Sequence, residues 1–495
     1  MKKLLGLVCI FVIVLLSSCD LLGDLFGLNK GKGSGTWYEG DPDYGNFWAI
    51  NMKSDNFYRV SADLFASGNH CEVWVEKNCG ITTDQAAQIK NHFDNVIYPK
   101  MIANFSLSPF VFEDGGDTYN FNNIMEFASW FVDGNGKLCI LLLDIKDNFG
   151  SNDRSYTAGY FLPADFIETN GSNKKNIIYI DTNPSMFDSN NKLTKIEEAY
   201  GTLAHEMQHM MNFATTLVNR MDYDNEGKLI SIGYMDTWVD EGLSAAAEYI
   251  TSDEHSASRI EWFNKNGGGN GRIDRGNNFF VWGNNNSVLD DYSTVYLFFQ
   301  WLRIHGKPGV YKDIISSEYS DYNAVVNAMK PNYQYWESLL ETWLAANYIN
   351  DPNSSYGYGS DEALMTVKAP APASASIASR VLLAPGEGVY SKANSNPTLI
   401  GQGANIKNVY INNKNLVNNY TQGSVLLTFN SNTNNKGSVE NGATTGTPIT
   451  SISTGRSVMS EISGPVKIDA RDLLGRDRFN KDLLINARRL LGDSE

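Results

Sequence analysis

The chain has 495 residues, of which 40 are basic and 56 are acidic, so its formal net charge is -16 at pH 7. Hydrophobic residues make up 42% and charged residues 19% of the sequence, a globular composition that excludes a largely disordered chain. The acidic balance argues against a nucleic-acid partner, because neutralising phosphates requires clustered Lys and Arg. The length predicts more than one domain and leaves ample chain for a hydrophobic core.

The N-terminus has the anatomy of a bacterial export signal. Two lysines precede an apolar run at residues 4–16, which is shorter than the ~20 residues of a membrane-spanning helix. The run ends in Leu-Ser-Ser-Cys, which resembles a lipobox, with Cys19 as the residue that is lipidated and becomes the new N-terminus. We therefore expect a lipid-anchored protein of the cell envelope, with the outer membrane or surface favoured and the leaflet left open. The alternative is an ordinary N-terminal membrane anchor.

Three further cysteines fit an exported protein. Cys71 and Cys79 could form a disulfide in an oxidising envelope, provided that the chain turns between them. Cys139 lies in an apolar run and is expected to be a small buried hydrophobe.

Apolar periodicity divides the rest of the chain into a strand-rich part, a helical part and a small β-rich part. Alternating segments predict strands in the first part, with a helix at about residues 82–105 and buried strands at 138–144 and 176–181. The predicted regions, in chain order, are the signal peptide 1–18, the spacer 19–36, the strand-rich part 37–192, the helical part 193–366, the linker 367–377, the small β domain 378–465 and the helical tail 466–495.

Residues 200–213, which read YGTLAHEMQHMMNF, contain the motif that predicts chemistry. His205 and His209 are four residues apart, so a helix places both imidazoles on one face, close enough to share one zinc ion. Glu206 lies between them and can reach a zinc-bound water. The alternative of two unrelated histidines on a helix is disfavoured, because the chain has only six histidines and this helix follows a strand-rich half.

A catalytic zinc site needs a third protein ligand and an open position for water. An HExxHxxGxxH site would need Gly and His where the chain has Asn212 and Thr215, so that class is excluded. The ExxxD pattern of thermolysin-like enzymes starts neither at Glu241 nor at Glu248. Spacing alone therefore leaves both glutamates as candidates for the third ligand.

Residues 237–248, TWVDEGLSAAAE, have the pattern of a helix start. Asp240 can cap the helix and Gly242 can let the backbone turn. Together with HExxH, this stretch resembles the Glu-zincins, and in particular the hyicolysin-like bacterial neutral metalloproteases, with HExQH, Asn-Phe and a later WxxEGLS. The leukotriene hydrolase and aminopeptidase group shares the EG half.

This resemblance covers roughly residues 73–348 and implies an α+β fold. The zincin-like catalytic domain would have a strand-rich N-terminal half and a helical C-terminal half that carries the zinc site, followed by the small β domain. The resemblance implies Glu241 as the third zinc ligand, and Glu248 as a carboxylate that orients a His ligand. Asp240 departs from the aminopeptidase group, which has Asn there. A tyrosine that donates to the tetrahedral intermediate maps to Tyr292, with Tyr296 as the alternative.

Two weaker signals bear on function. Residues 124–127 echo the GxMEN exopeptidase signature of aminopeptidases but lack its Gly and Asn, which favours an endopeptidase. The acidic loop 222–227 could bind Ca²⁺, although a solvated turn is favoured because the EF-hand ligand pattern is absent.

The sequence thus predicts a lipid-anchored zinc metalloendopeptidase with one Zn²⁺ per chain and protein or peptide substrates. His205, His209 and Glu241 would hold the zinc, which lowers the pKa of its water toward ~7. Glu206 would take the proton and pass it to the leaving amine, and Tyr292 would help to stabilise the oxyanion. The strand-rich half is expected to offer a sheet edge to an extended peptide. Alternatives are an aminopeptidase of the same clan, and a catalytically silent surface-binding lipoprotein on a zincin scaffold.

Overall fold

A computed structural model describes most of the chain between residues 44 and 433. The export signal with Cys19, the spacer and most of the candidate calcium loop lie outside the described residues. Among the residues that are described, no helix combines the length and the apolar character needed to cross a membrane. The described residues are 44–54, 56–114, 117–147, 149, 155–166, 171–188, 190, 192–223, 229–264, 280, 288–374, 382–393, 405–433, 440–441 and 466–468.

Strands dominate the chain up to residue 181 and helices dominate residues 198–349, so the fold is α+β, as predicted. The strands are β1 Asn46–Asn51, β2 Asn56–Ser67, β3 Cys71–Glu76, β4 Phe110–Asp114, β5 Asp117–Phe121, β6 Leu138–Leu143, β7 Ser155–Thr157, β8 Gly159–Phe161, β9 Ile177–Asp181, β10 Met221–Tyr223, β11 Leu229–Ile232, β12 Leu382–Leu383, β13 Gly388–Lys392, β14 Ile406–Asn412, β15 Asn415–Val417, β16 Val425–Asn430, β17 Glu440–Asn441 and β18 Val466–Ile468. The helices are α1 Thr83–His92, α2 Tyr98–Phe105, α3 Ile124–Val132, α4 Glu198–Asn219, α5 Thr237–Ser252, α6 Ala257–Asn264, α7 Val288–His305, α8 Val310–Ile315, α9 Tyr322–Ala328 and α10 Trp336–Ile349.

The main sheet has six strands in the order β1-β2-β3-β6-β9-β8. The first three strands form an antiparallel meander, β3, β6 and β9 run parallel, and β8 pairs antiparallel with β9 at the edge. Every side chain of β6 and β9 is buried, because both faces of the parallel centre are covered. This explains why these two strands have continuous rather than alternating apolar sequences.

Helices cover the sheet face on which the main core lies. A capping box between Thr82 and Gln85 starts α1, and a π-helical turn at Phe93–Ile97 joins it to α2, so the helix predicted at 82–105 is confirmed. The central element is α4, which is buried almost without interruption from Leu203 to Leu217. Its burial places the HExxH segment in the middle of the molecule rather than on its surface.

The small C-terminal sheet, ordered β13-β16-β14-β15, packs on the helical part. The Tyr390 hydroxyl donates to the Leu344 carbonyl of α10 at 2.6 Å, and its ring stacks on Tyr348. Hydrogen bonds also attach the predicted linker to the helical part and to the sheet. The Ala369 amide donates to the Asn347 carbonyl, and Ala373 forms a β-bridge with Ser391 of β13. The described linker residues therefore hold the sheet against the core, and the domain boundaries stay predictions.

Two predictions are wrong in the described residues. Cys71 and Cys79 are free thiols, because the strand β3 rather than a turn follows Cys71, so the possible disulfide is not formed. The helical tail does not begin at residue 466, since Val466–Ile468 is a strand that pairs in parallel with β7, and the rest of the tail lies outside the described residues. Cys139 is buried, as predicted.

A buried carboxylic acid stabilises the end of the sheet near β8. Asp165 is fully buried and accepts hydrogen bonds from the Asn173 amide and the Tyr179 hydroxyl, each at 2.7 Å. Burial disfavours its charged form and raises the pKa of Asp165 to about 7, although these hydrogen bonds oppose the shift. At pH values between the ordinary pKa of aspartate and about 7, the folded state therefore keeps a proton that the unfolded state has lost.

We expect the contribution of Asp165 to stability to be full below its ordinary pKa and to be lost as the pH rises through about 7. Asp165→Asn, which resembles the protonated acid, should remove a slope of about 1 kcal/mol per pH unit from the unfolding free energy between pH ~4 and ~7. Urea denaturation across that range measures the slope. Asp188→Asn is the control and should leave the slope in that range unchanged, because the amides of Lys192 and Asn190 lower the pKa of Asp188 and its titration falls below the range. An unchanged slope in Asp165→Asn would contradict the assignment.

Candidate metal centre

Two packed helices, α4 and α5, bring the predicted ligands together. The donor atoms of His205, His209 and Glu241 all lie within 4.8 Å of one another, and all three side chains are buried. Glu241 Oε2 is 3.3 Å from His205 Nε2 and 3.5 Å from His209 Nε2. The three residues therefore converge on one point, although they come from segments 32 to 36 residues apart in the chain.

The far side of each imidazole is held by a carboxylate. Glu248 Oε1 lies 2.8 Å from His205 Nδ1, and Asp240 Oδ2 lies 3.0 Å from His209 Nδ1. An ionised carboxylate only accepts hydrogen bonds, so each Nδ1 carries the proton and each Nε2 keeps its lone pair. Both Nε2 atoms face Glu241, which is the orientation that metal binding requires.

The contact of Asp240 with His209 was not predicted from the sequence. Asp240 is not a helix cap, because α5 begins at Thr237 and Asp236 is the residue before it. The spacing contained a signal for this contact: positions 240, 241, 244 and 248 fall within an arc of about 100° on a helix, and all are polar in an otherwise apolar segment. Ser244, on the same face, has its hydroxyl 3.1 Å from His209 Nδ1 and 3.0 Å from His209 Nε2. One face of α5 is therefore dedicated to the two histidines.

Gly242 acts through packing rather than through a turn. It lies inside α5, where an added Cβ would come closer than 3.0 Å to three ring atoms of Phe299 on α7. Phe299 is fully buried and cannot move aside. The absence of a side chain at Gly242 thus lets α5 approach α7 closely and fixes the position of the neighbouring Glu241.

The structure distinguishes the two candidate tyrosines. Tyr292 is buried, with its ring centroid 6.4 Å from that of His205 and the Arg259 guanidinium 4.2 Å above its ring. Tyr296, one turn further along α7, bonds instead to His255 Nδ1 at 2.7 Å. Only the first of the two candidates therefore lies beside the histidine pair.

The donor set suits a divalent transition-metal ion. Two imidazole nitrogens and one carboxylate oxygen form the ligand set of a catalytic zinc site, with a further position for water. Glu206, which is 2% exposed, adds another buried carboxylate next to His205 in the chain. A bound cation would offset the cost of burying these negative charges. The residues present therefore fit a metal ion.

The sheet edge lies beside the start of α4. Gly159, in the edge strand β8, is so close to this helix that a Cβ would lie 2.6 Å from the Thr202 methyl group. Within the described part of the chain, β8 pairs with β9 on one side only. One face of β8 thus packs on the helix turn that precedes His205.

We expect Gly242→Ala to destabilise the protein by about 1–3 kcal/mol and to weaken metal binding, because the added methyl group pushes α5 away from Phe299 and moves Glu241. Thermal unfolding and zinc titration measure the two effects. Gly201→Ala in α4 is the matched control, since a Cβ there has no neighbour within 4 Å and Ala favours the helix. Equal behaviour of the two variants would show that the close approach is unimportant.

A comparison with known proteins supports a metal centre in this position. Over 301 residues the chain is 33% identical to the neutral metalloprotease ShpI of Staphylococcus hyicus. The match covers 60% of this chain and 60% of that protein, so the chain spans about three-fifths of the relative's length. No family model matches the chain. The chain is therefore similar to a neutral metalloprotease over a majority of its length.

Proposed function

We propose that the chain is a zinc metalloendopeptidase that hydrolyses proteins or peptides. The observation that carries the proposal is the convergence of His205, His209 and Glu241, with the second nitrogen of each imidazole held by a carboxylate. The similarity to ShpI supports peptidase chemistry. The donor set favours Zn²⁺ over harder ions, which prefer oxygen ligands alone.

Glu206 is the proposed general base. When bound, the zinc ion supplies Lewis acidity and lowers the pKa of water at the site. Glu206 follows His205 on α4 and is buried, so its carboxylate accepts a proton from the attacking water and delivers it to the leaving amine. His205, His209 and Glu241 act as ligands and do not transfer this proton.

Tyr292 is the proposed donor to the oxyanion. Its ring lies beside His205, and the stacked Arg259 guanidinium restrains that ring and favours negative charge near the hydroxyl. A preorganised donor of this kind stabilises the charge that develops on the carbonyl oxygen. The edge strand β8 is the proposed binding site for the peptide backbone, since it pairs on one side only among the described residues and packs on α4.

An endopeptidase is favoured over an aminopeptidase by the surroundings of Glu126. This residue, in the segment that echoes an exopeptidase signature, accepts hydrogen bonds from the Asn122 amide and side chain at the start of α3. Its carboxylate therefore caps its own helix rather than capturing a substrate amine. Lipid anchoring through Cys19, with the outer membrane or surface as the site, stays part of the proposal.

We expect residues 20–495 to bind one zinc ion and to cleave a quenched denatured protein internally, with loss of cleavage in a zinc chelator. Glu206→Gln should keep the zinc and lower kcat by about 10²–10⁴-fold or more, because proton transfer is lost while the ligands stay in place. Metal analysis and product mapping by mass spectrometry check both parts.

Glu197→Gln, an exposed change at the start of the same helix, is the control and should cleave normally. A Glu206→Gln variant that still cleaves would overturn the assignment of the base. Stoichiometric zinc without cleavage in the unaltered chain would instead support a catalytically silent binding lipoprotein. Removal of single N-terminal residues would support an aminopeptidase.

The two tyrosines give a separate test. Tyr292→Phe should lower kcat by roughly 10²–10³-fold with little change in KM, as expected for loss of one oxyanion donor. Tyr296→Phe loses a hydrogen bond to His255 and should lower thermal stability with a much smaller effect on kcat. Steady-state kinetics and thermal unfolding of both variants measure the difference. The reverse pattern would assign the donor to Tyr296.

A further inference from the structure

A buried arginine lies at the end of a chain of hydrogen bonds that leads to the metal centre. Arg220 directly follows α4 and is 4% exposed. Its Nη1 donates to the carbonyls of Ile315 and Ser317, at 2.9 and 3.2 Å, just at the end of α8. Its Nη2 donates to Asn212 Oδ1 at 2.7 Å. One guanidinium group thus joins the end of one helix to a side chain of another.

Asn212 connects Arg220 to Asp240, the carboxylate that contacts His209. Its Nδ2 donates to Asp240 Oδ1 at 2.6 Å, and Asp240 Oδ2 lies 3.0 Å from His209 Nδ1. All four side chains of this series, Arg220, Asn212, Asp240 and His209, are buried. We call this series the Arg220 relay.

The chemistry of each group fixes the direction of the relay. An arginine can only donate, so the amide of Asn212 must turn its oxygen towards Arg220 and its nitrogen towards Asp240. That nitrogen occupies one oxygen of Asp240 and leaves the other for His209 Nδ1–H. In the absence of Arg220, the amide could turn over and present an oxygen to a carboxylate, which cannot donate in return.

We propose that Arg220 and Asn212 are positioning residues for the metal centre, because they hold Asp240 in the orientation that fixes the tautomer of His209. The proposal rests on the proposed function, since His209 Nε2 is the atom directed at the metal. Asn212 donates to one oxygen of Asp240, and the other oxygen accepts from the histidine.

The test compares Asn212→Leu and Arg220→Met with Asn219→Leu. Asn219 lies on the same helix and donates to the Ser316 carbonyl at 2.9 Å, so its loss removes a tie to the α8 end that does not involve Asp240. Asn212→Asp is a second variant of nearly the same size, which still accepts from Arg220 but cannot donate to Asp240. All four are made in the full chain.

Two readouts are measured beside thermal stability. Zinc affinity is measured by competition with a chromophoric chelator, and the His209 tautomer is measured in the metal-free protein by long-range ¹H–¹⁵N correlation at pH about 8.5, where imidazoles are neutral. The six histidines are labelled with ¹⁵N, and His209→Gln identifies the His209 signals.

We expect the Asn212 and Arg220 variants to lose about 10–100-fold in zinc affinity and to shift His209 away from the Nδ1–H tautomer. Asn219→Leu should lose stability while keeping both affinity and tautomer. The proposal is overturned if the Asn212 variants keep the original tautomer and affinity, or if Asn219→Leu shows the same losses. A tautomer shift in a chain that binds no zinc would overturn the proposed function and leave the relay standing.

Discussion

The structure depends on the burial of carboxylates beside two imidazoles where α4 meets α5. Glu206, Asp240, Glu241 and the half-buried Glu248 bring negative charge into a region that the sheet and three helices keep from water. Such a concentration of charge is unfavourable unless hydrogen-bond donors or a cation offset it. The rest of the fold supplies the donors, and the point where the two Nε2 atoms meet Glu241 is where a cation fits.

The offsetting groups come from parts of the chain that lie far apart in sequence. Arg220 lies at the end of α4, and the carbonyls that anchor it lie at the end of α8 and just beyond it. Gly242 allows α7 to pack closely against α5. Each of these contacts constrains a different ligand or carboxylate. The ligands occupy only α4 and α5, but the site needs further helices, because α7 and α8 hold α4 and α5 in position relative to each other.

Local patterns in the sequence predicted most of the fold. The β6 and β9 strands, the α1–α2 helical stretch and the helical character of residues 193–366 follow from the pattern of apolar residues alone, because their packing faces are continuous in sequence. The pairing of the two histidines of HExxH was equally predictable, since the distance between His205 and His209 is set by one helical turn. The prediction of a Cys71–Cys79 disulfide is wrong because the two thiols could meet only across a turn, which apolar spacing does not specify. The chain forms the strand β3 there instead.

The site beyond HExxH was less predictable, because it depends on which helix faces which. Spacing could not choose between Glu241 and Glu248, and the structure gives them separate contacts, one to both Nε2 atoms and one to His205 Nδ1. The sequence predicts Asp240 as a cap, whereas the residue before the helix is Asp236, four positions earlier. Arg220 gave no local signal at all, because its partners lie 4 to 97 residues away. The role of such a residue is identified from the three-dimensional structure, because a buried arginine needs a hydrogen-bond acceptor for each of its donors.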